Sequence, residues 1–462
     1  MKKRQSLLGL ASLGIAASAT AGTFFFAEVV EDTDHVTHSS GYNINQGTPS
    51  NLTVNVCVIP GSPQAANIEV AVANVVDTIN NLVPVPVNMK TASVFDTATD
   101  FESVALHEIG HCVGLAHPNA ASEAPSGSQA ERESTKSLDG SNNTLNYGAG
   151  GDGVHGSADD QRGDDVNLHF FNPASNDPFE VMFTVDNSNY SNDLADLPGG
   201  DAYAANADRQ VAVLPRYSAA PNNCAGMFFE TDQLCSEAIM QQGTVNAEFQ
   251  RALGPDDVAT LLYAQSGLDR SAGTGDDYTR TLVYRGITAS NCDVNVSFDN
   301  SQTGFASCRA AASISASNSA SVITEANAYF NTGTNFLFST IRIPLARPDQ
   351  ANVSANTTTV VTDSVLDNDT NQEGTGTLEA TTTSRGGPIA GTVTINTDGT
   401  FSYTNTNPAV SEDYFIYEVC RVGPGDTAGV NVTDACSHQV VTLNLGSTGG
   451  EVIFESSFEQ GE

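Results

Sequence analysis

The 462-residue sequence predicts an α+β unit carrying a large insertion, followed by a β-rich segment and a C-terminal β-sandwich. Three observations predict it. A strand-like run, Leu52–Ile59, precedes two stretches, 66–82 and 100–113, that read as helices. A long polar stretch from Pro118 to about Leu234 carries few helix signals. From Arg347 onward, short strands alternate with turns at the spacing of a sandwich.

In order along the chain, residues 1–21 read as a signal peptide. Lys2, Lys3 and Arg4 form a positive start, Leu7 to Ala17 a short apolar run, and Ala19-Thr20-Ala21 a small-residue cleavage site. The apolar run is too short to span a bilayer. No later segment reads as a transmembrane helix, so the mature protein is expected to be secreted, without a membrane span. Residues 22–50 form a polar lead-in.

In the first helix, Ile68, Val72, Val75, Val76 and Ile79 fall on one face with the small Ala71. The second starts at Asp100, a good N-cap, has Glu102 in its first turn, and stops at Gly114. Gly254 to Ser266 reads as a third, with Pro255 in its first turn and Asp256 and Asp257 favouring its dipole. These elements define a unit over 51–270 with an insertion over about 118–235. Residues 271–346 read as a separate β-rich domain, 347–446 as the sandwich, and 447–462 as a linker and acidic tail. In the sandwich, Gly391–Ile395 and Thr400–Tyr403 flank an Asp398-Gly399 turn, a strong hairpin signal. Asn396 to Tyr403 resembles the bacterial Ig-like and cadherin-like repeats of surface and secreted proteins. That resemblance implies a role in holding a cell-surface or matrix ligand.

Charge excludes some partners. Fifty-four acidic residues against 18 Lys plus Arg give a net charge of −36, a surface that repels nucleic acid and anionic lipid. Eight cysteines in an exported chain imply disulfides. Three pairs are close in sequence: Cys224 with Cys235, Cys292 with Cys308, and Cys420 with Cys436. That leaves Cys57 to pair with Cys112 over a long loop, in preference to a fourth metal ligand or a free thiol.

The chemistry lies at 107–117, His-Glu-Ile-Gly-His-Cys-Val-Gly-Leu-Ala-His. His107 and His111 are four apart on a helix, so their rings share a face and can grip one Zn²⁺. Glu108 is near enough to take a proton from metal-bound water. Gly114 can turn the chain back and let His117 approach from a third direction. Three neutral ligands leave a fourth position for water, as catalytic sites do. This spacing resembles that of the metzincin proteases, matrixins and serralysins in particular.

The resemblance implies a zinc metalloendopeptidase acting on a peptide or protein substrate, with Glu108 as general base. It also implies a methionine turn beneath the metal, for which Met240 in Ser236–Gln242 fits best. Leu253 to Tyr263 looks like the final catalytic-domain helix of matrixins. Matrixins place most of a sheet between the first two helices, where this chain has only residues 83–99. The strand that pairs with substrate is therefore missing, shortened or supplied from elsewhere. The alternative class is a weak or inactive metzincin-fold surface adhesion or binding protein.

Within the insertion, Asp152, Asp159, Asp160, Asp164 and Asp165 lie among glycines, which suits either Ca²⁺ or a solvated acidic loop. His155 and His169 are candidates for a second metal. Asp32, Asp34, His35 and His38 are candidates to cover the zinc in a latent form.

Overall fold

A computed structural model describes residues 24–25, 36–44, 51–85, 88, 90–91, 98–116, 239–240, 248–269, 273–300, 304–318, 320–428 and 435–446, with short strand pairings at 147–148, 161–162, 170–171, 190–191, 211–213, 235–237 and 452–453. The signal peptide, His117, His155, His169, Asp32, Asp34, His35, Cys224 and the five aspartates of the acidic loop lie outside these residues.

The first unit comprises β1 (Val36–His38), β2 (Asn51–Val58), α1 (Ala65–Asn81), α2 (Phe101–Cys112), α3 (Pro255–Gln265), β3 (Thr279–Ile287), β4 (Val294–Phe298), β5 (Ala306–Ser315) and β6 (Ala320–Phe330). The three helices start and stop within a residue or two of the sequence expectation. Strands β3, β2, β4 and β6 lie side by side and parallel, and β1 joins the start of β6. β5 runs antiparallel along the outer edge of β6. The core joins Val54, Val56 and Val58 of β2 to the apolar face of α1, to α2, and to Leu282, Val294, Val296, Ala326 and Ala328.

Residues 271–346 are therefore not a separate domain. They supply four strands of this sheet and share its core. The stretch between α1 and α2 is too short to hold a sheet, and the strands arrive after α3 instead. Sequence alone separated them because parallel pairing of β2 with β3 joins positions such as Val54 and Leu282, which no local pattern reveals.

The C-terminal unit is the expected sandwich. Its strands are β7 (Asp349–Val353), β8 (Thr358–Val361), β9 (Thr377–Ala380), β10 (Gly391–Ile395), β11 (Phe401–Asn405), β12 (Glu412–Val422) and β13 (Cys436–Leu445). One sheet runs β9-β12-β13-β7, with the short strand Val452–Ile453 antiparallel on β7, and the other β8-β11-β10. Val353, Val361, Ile395, Phe401, Tyr403, Phe415, Tyr417 and Val441 fill the space between. The unit begins before residue 347: Leu345 already bridges Thr370. Arg342 ties it to α1, bonding Asn74 and Asp77.

Among the described residues no helix is long and apolar enough to cross a membrane.

Candidate metal centre

α2 is fixed before any functional residue is reached. Asp100 caps it in extended conformation and accepts from Ser103 N at 3.0 Å and Ser103 Oγ at 2.6 Å. Arg251 grips the same carboxylate with Nε at 2.9 Å and Nη2 at 2.6 Å. Phe101, next along, stands amid the rings of Phe298, Phe330, Phe336 and Phe338.

One turn further, His107 and His111 bring their rings to 4.6 Å, nearly perpendicular. Each Nδ1 meets a backbone carbonyl: His107 that of Ile239 at 2.6 Å, His111 that of Leu115 at 2.8 Å. A carbonyl only accepts, so both Nδ1 atoms carry the proton and both Nε2 atoms keep the lone pair that a metal needs. Burial pushes His107 down to about 4 and His111 to about 3, which keeps both rings neutral at neutral pH.

The His111 contact follows from how α2 ends. Gly114 has φ 121°, and a β-carbon there would stand 2.7 Å from the Thr37 carbonyl, so only glycine fits. Leu115 N–H then bonds Gly110 O and Gly114 N–H bonds His111 O, the two bonds of a Schellman ending. The reversal brings the Leu115 carbonyl back to the His111 ring. Phe25 seats the N-terminal segment on this turn, with its N–H on Gly114 O at 2.8 Å and its ring 5.5 Å from His111.

Glu108 points toward β5. Burial pushes its carboxyl up to about 8, partly offset by the backbone N–H of Cys308. Its Oε2 is buried without a hydrogen-bond partner. The donor set fits zinc: two neutral imidazoles with oriented lone pairs beside an acidic group with an unused oxygen. A dication there would draw Glu108 back to the carboxylate. The third expected ligand, His117, lies outside the described residues.

Met240 is buried against the helix beneath this face, its sulfur against Gly110. Its turn is held by a residue whose role the sequence reading missed. Asp257, in the first turn of α3, accepts from Gly254 N at 2.8 Å, Ile239 N at 2.8 Å and Met240 N at 3.2 Å. Asp257 holds the Met240 N–H, and the carbonyl of that same peptide unit, Ile239 O, meets His107 Nδ1, so α3 positions the His107 ring through one peptide unit. The sequence had marked Asp257 only as a helix-dipole acid; its distant partners gave no local signal.

Two expected disulfides are corrected. Cys57 pairs with Cys292 and Cys112 with Cys308, not Cys57 with Cys112 or Cys292 with Cys308. β2 pairs with β4, which starts just after Cys292, and the end of α2 packs on β5, which carries Cys308. Neither proximity is readable from spacing. Cys420 pairs with Cys436 as expected, directly across β12 and β13; the bond occupies the sulfurs that, with Glu418, would otherwise resemble a metal group. Cys235 lies on a short described strand, but its expected partner Cys224 does not. His38, a candidate to cover the expected zinc, instead faces Tyr278 at 3.0 Å and stacks on Tyr42 at 3.9 Å.

Residues 342–443 match the bacterial Ig domain family, in agreement with the sandwich seen there. No curated protein and no solved structure matches the chain.

Proposed function

We propose that the chain is an exported zinc-dependent metalloendopeptidase. One observation carries this reading above others: two neutral histidines, each with its Nδ1 proton committed to a carbonyl, flank a buried glutamate with an unused oxygen. His107 and His111 would hold the metal through Nε2, with His117 as the third ligand implied by the spacing. Zinc bound there supplies a water of pKa about 7 and polarises a scissile carbonyl.

Glu108 takes the proton of the attacking water and returns it to the leaving amine. The Cys308 N–H that reaches Glu108 belongs to β5, the antiparallel edge of the sheet. An extended peptide can add as a further strand to such an edge. That geometry supports a peptide bond as the target. The three disulfides among the described residues support export.

A second reading has its own observation. The Ig-like unit suits a cell-surface or matrix ligand, and Glu108 already accepts the Cys308 N–H. A weak or inactive surface adhesion or binding protein would have both features.

The test is to purify the mature chain, measure zinc stoichiometry, and assay cleavage of an unstructured protein with and without Glu108→Ala. One zinc per chain is expected, with cleavage lowered about 10²–10⁴-fold in the variant. Zinc without cleavage in any condition selects the binding protein. Equal cleavage by the variant removes Glu108 from its role.

A further inference from the structure

A second group of polar side chains lies where the chain enters the Ig-like unit. Asp349 opens β7 and is 2% exposed. The Leu345–Thr370 bridge lays the entering segment along the turn that carries Asp367, Asn368 and Asp369. Beneath them, the hydroxyl of the buried Tyr417 lies 2.8 Å from the Arg347 carbonyl and 2.9 Å from Asp369 Oδ1. Arg347 N–H donates to the same Asp369 Oδ1 at 2.8 Å. The Asn368 amide nitrogen donates to Asp349 Oδ1 and to the Pro348 carbonyl, each at 3.1 Å.

Asn368 and Arg347 N–H thus each engage one carboxylate oxygen, Asp349 Oδ1 and Asp369 Oδ1, and the single Tyr417 proton serves the Arg347 carbonyl or one of the two carboxyls. Asp349 Oδ2, Asp369 Oδ2 and Asn368 Oδ1 remain, all shut off from solvent and all without a partner. A single buried, unsatisfied carboxylate oxygen is costly, and here three such acceptors belong to neighbouring side chains. The described ion pairs lie elsewhere, at Arg251, Arg342 and Arg385. Burial pushes the Asp369 carboxyl up to about 7; burial and the neighbouring Asp369 charge push Asp349 well above its usual range. The group therefore calls for a positive charge. Two carboxylates, an amide oxygen and adjacent main-chain carbonyls, with no nitrogen or sulfur donor, suit a hard cation that tolerates irregular geometry.

We propose that Asp349, Asn368 and Asp369 bind a Ca²⁺ ion that locks the entry into the Ig-like unit. The site is distinct from the acidic loop of the insertion and independent of the zinc reading. The competing occupant is a proton shared between the two carboxyls.

The chain has no Trp, so tyrosines alone can sensitise bound Tb³⁺, and Tyr417 stands in the cluster. The experiment titrates the full mature chain with Tb³⁺ under tyrosine excitation and measures its unfolding temperature with and without Ca²⁺. The set comprises wild type, Asp349→Asn, Asp369→Asn and Tyr417→Phe. Wild type is expected to emit and to gain unfolding temperature with Ca²⁺. Both Asn variants should bind Tb³⁺ at least about 10-fold more weakly. Tyr417→Phe should keep the Ca²⁺ shift and lose the emission. Emission and shift unchanged in both Asn variants would overturn the proposal, as would emission retained in Tyr417→Phe. No Ca²⁺ response in wild type, whatever the variants do, would assign the pair a proton instead.

Discussion

The sulfur of Met240 lies 2.5 Å from the point that a β-carbon on Gly110 would occupy. Gly110 stands one residue before His111 on α2, so the helix packs on this thioether beside the turn whose Ile239 carbonyl meets His107. Gly110→Ala is expected to destabilise the protein by about 1–3 kcal/mol, because the added methyl overpacks a filled core. Met240→Ala in the same chain should relieve part of that cost, while Met240→Leu alone should cost less than about 1.5 kcal/mol. Urea unfolding of the double-mutant cycle measures it. Strict additivity of the two substitutions would show that the contact carries no energy.

The Arg251–Asp100 pair fixes where α2 begins. The side chains are 13% and 2% exposed, and two parallel hydrogen bonds join them. Arg251→Ala leaves a buried carboxylate with only Ser103 as donor. The expected cost is about 3 kcal/mol, and on the proposed function zinc affinity falls because the helix start loosens. Adding Asp100→Asn should recover part of the stability by removing the uncompensated charge. A double variant no more stable than Arg251→Ala would count against the pair as the anchor.

Local features were legible in the sequence. Asp100, Gly114 and Pro255 marked helix ends because capping depends on a few neighbouring residues. The Asp398-Gly399 hairpin and the sandwich were readable for the same reason. Along α2, the four-residue spacing placed His107 and His111 on one face without any tertiary knowledge. What escaped was long-range. Asp257 reaches Ile239 and Met240 across a turn. Leu115 serves His111 through its carbonyl, which no residue type encodes. The strands after α3 looked like their own domain because parallel pairing leaves no local trace of the partner strand.

The corrected disulfides make a separate prediction. Cys112–Cys308 joins the end of α2 to β5 across 196 residues of sequence. Peptide mapping under non-reducing conditions should recover Cys112 with Cys308 and Cys57 with Cys292. Replacing Cys112 and Cys308 by Ala should cost about 3–5 kcal/mol, from the loop entropy returned to the unfolded chain. On the proposed function it should also lower proteolysis more than zinc content, since the bond holds the Cys308 N–H beside Glu108. Activity and zinc falling in equal proportion would make the bond a general staple.

Asp257 gives stability a defined pH dependence. Its carboxyl is pushed up to about 6 by burial, against an ordinary value of 3.8, although four backbone N–H groups, those of Ile239, Gly254, Met240 and Asp257 itself, oppose the rise. Between these values the unfolded chain releases the proton while the folded chain retains it. Raising the pH from about 4 to 6 therefore costs the folded state, by roughly 3 kcal/mol at most, and the cost stays constant above that. Asp257→Asn cannot ionise and lacks this term. The stability of wild type relative to Asp257→Asn should thus fall as pH rises through 4 to 6 and level off near 7. Chemical denaturation of both proteins across that range measures the difference. A flat difference would mean that the four N–H donors balance burial, and one that grows in favour of wild type that they outweigh it.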